Sequence, residues 1–249
     1  MKEHVNAVID WAKNQKVRGC ITGSALLGYF EGQDVDIFVY DEKSLNKLLY
    51  AMEYNPMFQM LDPLEQWKYD RYMNKNNDTF YKFGLLTIKF TYNTCIDVNV
   101  ILKKGKTNIF SVLSSFDMDI ICKGHDIQTG EFLDLSENLP NKAATFNKWN
   151  TAFHGAELWE ASRVLRQLGR CFKYYKRGYN TDAVVKKYIE IIDDIQTTEN
   201  IFSSEKFDEK LKTKKIVSEG VKKICLEWLE SHSITDAEIN TLNELVKQL

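Results

Sequence analysis

Two short segments concentrate the acidic chemistry of this chain. In "DVDIFVY" (34–40), Asp34 and Asp36 alternate with Val35, Ile37 and Val39. In "CIDVNVIL" (95–102), Asp97 and Asn99 alternate with Ile96, Val98 and Val100. Positions i and i+2 of a strand share a face. Each segment therefore reads as a strand that buries its apolar set and presents oxygen-bearing side chains on the other side. Adjacent strands would bring Asp34, Asp36 and Asp97 together. Such a set suits magnesium, which takes few protein carboxylates and lets substrate phosphates complete its shell. Two such ions can activate an attacking hydroxyl and stabilise a departing pyrophosphate. The plain alternative is a pair of aspartates on the solvent face of an edge strand.

Ahead of the first aspartates stands Gly23-Ser24, after a short strand pattern and before a short helical one. A turn of this kind exposes backbone amides and a hydroxyl, which suits phosphate. Glycine-serine, nine intervening residues, then Asp-Val-Asp-Ile resembles the motif of the nucleotidyltransferase superfamily that includes DNA polymerase beta, poly(A) polymerases and CCA-adding enzymes. The motif spans about eighty residues when Asp97 is counted as its third carboxylate. The resemblance implies that Asp34 and Asp36 bind both metals and that Asp97 completes one site and helps deprotonate the acceptor hydroxyl. It also implies that Gly23 and Ser24 hold the triphosphate. The implied cofactor is two Mg2+ ions, with Mn2+ as a substitute.

A second feature lies in "ELWEASRVLRQLGRCFKYYKRG" (157–178). Four of the six arginines fall here, and Arg163, Arg166, Arg170, Lys173 and Arg177 recur at helical spacing on one stripe. Val164, Leu165, Leu168, Cys171, Phe172 and Tyr175 form the opposite, core-facing side. A solvated basic face is the alternative, but arginine's planar fork suits bidentate phosphate contact. The segment resembles the neck of class II CCA-adding enzymes and bacterial poly(A) polymerases, where an acid three before an arginine reads the incoming base. Glu160 and Arg163 stand in that relation, so the resemblance implies nucleotide binding by Glu160, Arg163, Arg166 and Arg170. "FDMDIICKGHDIQTGEFLDL" (116–135) is similar to a further segment of that family, with Ile121 where the family has asparagine.

These residues need a frame. The periodicity predicts helices over 2–15 and 41–54, a single short helix within 24–31, and strands over 17–22, 34–40, 82–92 and 95–102, the last two joined at Asn93-Thr94. Residues 55–80 read as an irregular insertion and 107–115 as a short helix. "FDMDIICKG" and "GEFLDL" read as two further strands around a turn containing Asp126 and Gly130. Beyond residue 142 only helical patterns follow, roughly 142–177, 181–196, 205–231 and 235–248. The predicted fold class is α+β: a mixed sheet flanked by helices over 1–140, then an all-helical domain over 141–249.

With 249 residues and a formal net charge of −2, composition supports a globular protein without a globally basic surface. Five scattered cysteines lack metal-ligand or disulfide-framework spacing. No apolar run reaches the length of a membrane span, and a cytoplasmic location is expected. The expected activity is metal-dependent transfer of a nucleoside monophosphate from an NTP, ATP included, to an acceptor hydroxyl, foremost an RNA (tRNA-like) 3′ end. Transfer to a small molecule or a protein hydroxyl, and a catalytically silent nucleotide-binding module, are the competing readings.

Overall fold

The computed structural model describes residues 2–28, 30, 32–61, 85–137, 141–150, 160–199, 208–233 and 240–241; for 160–163, 166, 194–199 and 208–214 it describes the backbone alone. The chain divides into two compact units, Met1–Phe116 with Ile120–Ser136, and Asp117–Asp119 with Glu137–Leu249.

The first unit opens with α1 (Lys2–Lys13), which buries Val5, Val8, Ile9 and Ala12, the face its spacing dictates. Strand β1 (Gly19–Thr22) runs into a 3-10 turn at Gly23–Leu26, followed by β2 (Asp34–Val39). Helix α2 (Glu42–Glu53) starts at Asp41, whose carboxylate accepts the Ser44 amide at 2.7 Å and caps the first turn. Strands β3 (Phe58–Met60), β4 (Leu85–Tyr92) and β5 (Ile96–Lys103) follow, then α3 (Ile109–Leu113), β6 (Lys123–Asp126) and β7 (Phe132–Asp134). Asn93 and Thr94 take the left-handed φ of 50° and 55° that a tight hairpin turn demands. Strand β3 falls inside the stretch read from sequence as irregular, and the expected insertion over 62–80 lies outside the described residues.

Among the described residues seven strands form one sheet in the order β3-β4-β5-β2-β1-β6-β7. Its β2–β5 pairing is parallel and the other described pairings are antiparallel. On one face Ile21, Val35, Ile37, Val98 and Val100 pack into a core with the apolar sides of α1 and α2. On the other, Cys20 and Phe38 cluster with Ile109, Val112 and Leu113 of α3. The helices that follow the two parallel strands thus cover opposite faces.

The second unit contains α4 (Glu160–Lys176), α5 (Asp182–Glu199) and α6 (Asp208–Ser231), which pack pairwise. Val164, Leu165, Leu168 and Cys171 are buried as their spacing predicts, but the buried tyrosine is Tyr174, whereas Tyr175 is exposed and stacks on His232. Two expectations are corrected here. The first half of "FDMDIICKG" is not strand: Asp119–Ile121 forms a 3-10 turn. The Asp119 carboxylate ties this turn to later backbone, accepting amides from Thr145 at 2.7 Å and Glu137 at 3.2 Å. Residues 141–150 are irregular rather than helical, pinned by isolated bridges of Met118 to Phe146 and Ala143 to Asn180. The helix expected over 235–248 lies almost wholly outside the described residues. No described helix is long and apolar enough to cross a membrane.

Candidate active site

The site in the first unit is built where β1 ends and β2 begins. Gly23 turns the chain with φ +82°, a conformation that side chains with a Cβ resist. A Cβ there would also come within 3.1 Å of Asp36 Oδ2. Glycine is therefore favoured twice, once by the backbone and once by the close approach of the carboxylate. Ser24 is buried in the turn that follows. The loop back to β2 is held by Gln33, itself buried, whose Nε2 donates to the carbonyls of Ser24 at 2.5 Å and Gly28 at 2.8 Å. Its Oε1 accepts the Phe30 amide at 3.3 Å. One side chain next to Asp34 thus fixes the turn before it.

Strand register assembles the rest. Thr22 lies opposite Asp36, Asp34 opposite Asp97, and Asp36 opposite Asn99. The four polar residues of β2 and β5 share the sheet face of Phe38 and Ile101, away from the core beneath α1 and α2. Asn99 Nδ2 donates to Asp36 Oδ1 at 2.8 Å and to Asp34 Oδ2 at 3.3 Å. Asp34 and Asp36 are half-buried and Asp97 is exposed. The positive end of the Asn99 amide dipole therefore draws two converging carboxylates together. Among the described residues no group of three or more His, Cys, Asp or Glu is gathered to hold a metal ion. The unit gathered is a carboxylate pair around an amide, with Asp97 beside it in register. An all-oxygen pair of this kind matches the one or two carboxylates that magnesium takes when phosphates supply its remaining ligands.

The residues assigned to the arginine stripe belong to the second unit. Glu160, Arg163 and Arg166 lie on α4, and their side chains fall outside the described residues. Arg170 Nη1 donates to Asp117 Oδ1 at 3.0 Å and to Gln167 Oε1 at 3.1 Å. The second oxygen of Asp117 accepts the Tyr188 hydroxyl at 2.8 Å. Burial, with the Asp117 charge beside it, pushes the Tyr188 phenol well above its ordinary range, so it remains a donor. Arg170 thus serves a buried carboxylate, an engagement that stripe spacing alone does not reveal.

Two residues escaped the reading of the sequence as contributors. Asn99 was seen to share a face with Asp97, but its bridge to Asp34 and Asp36 needs the β2–β5 pairing. Gln33 carried one signal, a polar residue entering an apolar strand immediately before an aspartate.

No family model and no curated protein matches the chain. Among solved structures it is similar to a CCA-adding enzyme in complex with CTP, at 12% identity over 96% of this chain and 65% of that one, TM-score 0.42. It is similar to the apo form of a CCA-adding enzyme, at 13% identity over 75% of this chain and 47% of that one, TM-score 0.41. A third likeness is to the Thermotoga maritima CCA-adding enzyme complexed with tRNA, at 13% identity over 97% of this chain and 65% of that one, TM-score 0.41. These likenesses are distant, and the chain spans 47% to 65% of the length of those structures.

Proposed function

We propose that this chain is a nucleotidyltransferase that moves a nucleoside monophosphate from an NTP to an acceptor hydroxyl, releasing pyrophosphate. The observation that carries the reading is the convergence of Asp34 and Asp36 on one point, beside a glycine turn whose left-handed backbone disfavours a side chain. A solvent-facing pair on an edge strand would need neither feature, and β2 lies between β5 and β1 inside the sheet.

In this reading Asp34 and Asp36 hold Mg2+, with Asp97 as a further oxygen ligand. Bound there, the metal supplies charge neutralisation for the triphosphate and acidifies the attacking hydroxyl. Gly23 lets the backbone come close to the phosphates, and Ser24 adds a hydroxyl at the same turn. Gln33 keeps that turn at a constant distance from the carboxylates, as positioning catalysis requires. Asn99 balances the two carboxylates before substrate arrives. The acceptor we assign is an RNA 3′ end, supported by Arg163, Arg166, Lys173 and Arg177, which recur at helical spacing along α4 and its end around the Arg170 that Asp117 holds.

The test is transfer of label from each α-³²P NTP, with magnesium, to total RNA, total protein or a small-molecule extract, beside an Asp34→Ala/Asp36→Ala variant. Label in RNA that the variant loses is the expected result. Label in another pool would move the acceptor to a small molecule or protein. No label in any pool, with manganese also supplied, would sink the enzymatic reading.

A further inference from the structure

The other end of the two parallel strands has a different chemistry. Strands β2 and β5 run side by side, and each ends in a loop leading to a helix on a different face of the sheet, α2 on one and α3 on the other. Loops that part in this way leave a crevice outside the carboxyl ends of the strands, the place where open α/β sheets bind ligands. Here the crevice is a groove of about 470 Å³ between Tyr40–Lys43 and Leu102–Thr107. That volume lies within the range of small-molecule sites. It lies about 17 Å from Asp34, the length of β2.

The groove is lined by Lys43, Lys103, Lys104 and Lys106. Gly105, with φ +76°, closes the tight turn that brings the last three together, and the Lys106 amide donates back to the Lys103 carbonyl at 3.2 Å. Lys103 Nζ donates to Ser115 Oγ at 3.1 Å. Lys104 and Lys106 have no ion-pair partner among the described residues. Lys106 is half-buried, and desolvation lowers its pKa with no acid to offset the cost. A partly desolvated ammonium without a counter-charge is stabilised when an anion arrives.

Two acids also border the groove. Asp41 is engaged by the Ser44 amide and by Arg18, 2.9 Å away, while Glu42 lies on the lining itself. An extended phosphodiester chain would have to run past these carboxylates. A compact anion can sit among the lysines without doing so.

We infer that this groove is a second ligand site, separate from the carboxylate pair, that binds a compact phosphate-bearing small molecule through Lys104 and Lys106 with Lys43 opposite. It lies at the far end of the strands that carry Asp34 and Asp97, so it binds its ligand whether or not the proposed transfer chemistry is correct.

The experiment is a titration of the full chain with inorganic phosphate in magnesium-free buffer, followed by backbone amide NMR. Saturable shifts should centre on Tyr40–Lys43 and Leu102–Thr107. Lys104→Gln/Lys106→Gln, both exchanges lying in a turn outside the cores, should weaken phosphate about tenfold, the worth of a lost charge-assisted contact. Asp34→Asn/Asp36→Asn should leave the affinity unchanged. Equal affinity in the wild type and the lysine variant, or no saturable shift at these residues, would overturn the site. A short RNA that displaces phosphate at lower concentration, and loses affinity more steeply in the lysine variant, would overturn the compact-anion assignment in favour of a nucleic-acid surface.

Discussion

Asp117 and Arg170 lie 53 residues apart in sequence, yet Asp117 Oδ1 receives Arg170 Nη1 at 3.0 Å with the carboxylate wholly enclosed. The arginine is partly exposed, with 43% of its side-chain surface accessible, so the pair is buried at one end and wet at the other. Removing the acid takes away the acceptor of the Tyr188 hydroxyl and one of the two acceptors of Arg170 Nη1, and losing buried hydrogen bonds of this kind costs about 1–3 kcal/mol. Asp117→Ala should therefore lower the stability of the helical unit by about 2 kcal/mol, read as a shifted chemical-denaturation midpoint. Arg170→Ala should cost less, and the double variant should cost less than the sum, because the two act on one interaction. Strict additivity in that cycle would show that the pair contributes nothing.

Gly23→Ala carries two penalties at one position. The left-handed backbone costs a Cβ-bearing residue about 1–2 kcal/mol, and the new carbon meets Asp36 Oδ2 at 3.1 Å. Thermal melting should detect the first. The second should appear as weaker magnesium-dependent NTP binding out of proportion to the lost stability. A variant that melts lower but binds NTP normally would mean the turn is structural only.

The three carboxylates should act together. Asp34→Ala and Asp36→Ala should each abolish nucleotidyl transfer while leaving circular dichroism unchanged, since neither side chain belongs to the apolar core. Asp97→Ala should do the same if the exposed aspartate becomes a ligand when substrate is bound. Full activity in all three variants would remove the site assignment.

Asn99→Ala should act on the resting site. The substitution removes the donor shared by Asp34 and Asp36 at 3.3 and 2.8 Å and leaves like charges facing each other. The variant should melt lower than wild type in metal-free buffer, and magnesium should narrow the gap. An equal gap with and without magnesium would argue that the two carboxylates do not share a cation.

A pH dependence follows from the sheet edge. Burial alone would raise the Asp134 pKa, but hydrogen bonds from Lys123, 2.5 Å away, and from Ser136 outweigh it and hold the carboxyl below its ordinary 3.8. A carboxylate depressed in the folded state stabilises the fold above its unfolded pKa, and that contribution is lost as pH falls through the folded value. Wild type should therefore melt above Asp134→Asn at neutral pH, and the two should converge well below pH 3.8. Parallel melting curves across that range would refute the linkage.

Much of this was written in local pattern. The alternation of Asp34, Asp36, Asp97 and Asn99 with β-branched residues determined that all four would leave the apolar core, because a strand's period of two admits no other face. Asp41 as a helix cap, the Asn93-Thr94 turn and the buried side of α1 were equally local matters of a cap, a left-handed turn and a 3.6-residue period. The neighbours of β2 were not local. Its parallel pairing with β5 spans more than sixty residues, and only that pairing sets Asp34 against Asp97 and brings the Asn99 amide between two carboxylates. The same holds for Asp117, which sits in an acidic, strand-like segment yet leaves the sheet to meet Arg170 and Tyr188. Sequence periodicity determined which way each side chain turns from its own backbone; the tertiary structure decided which distant backbone lies opposite, because that choice depends on the packing of whole elements.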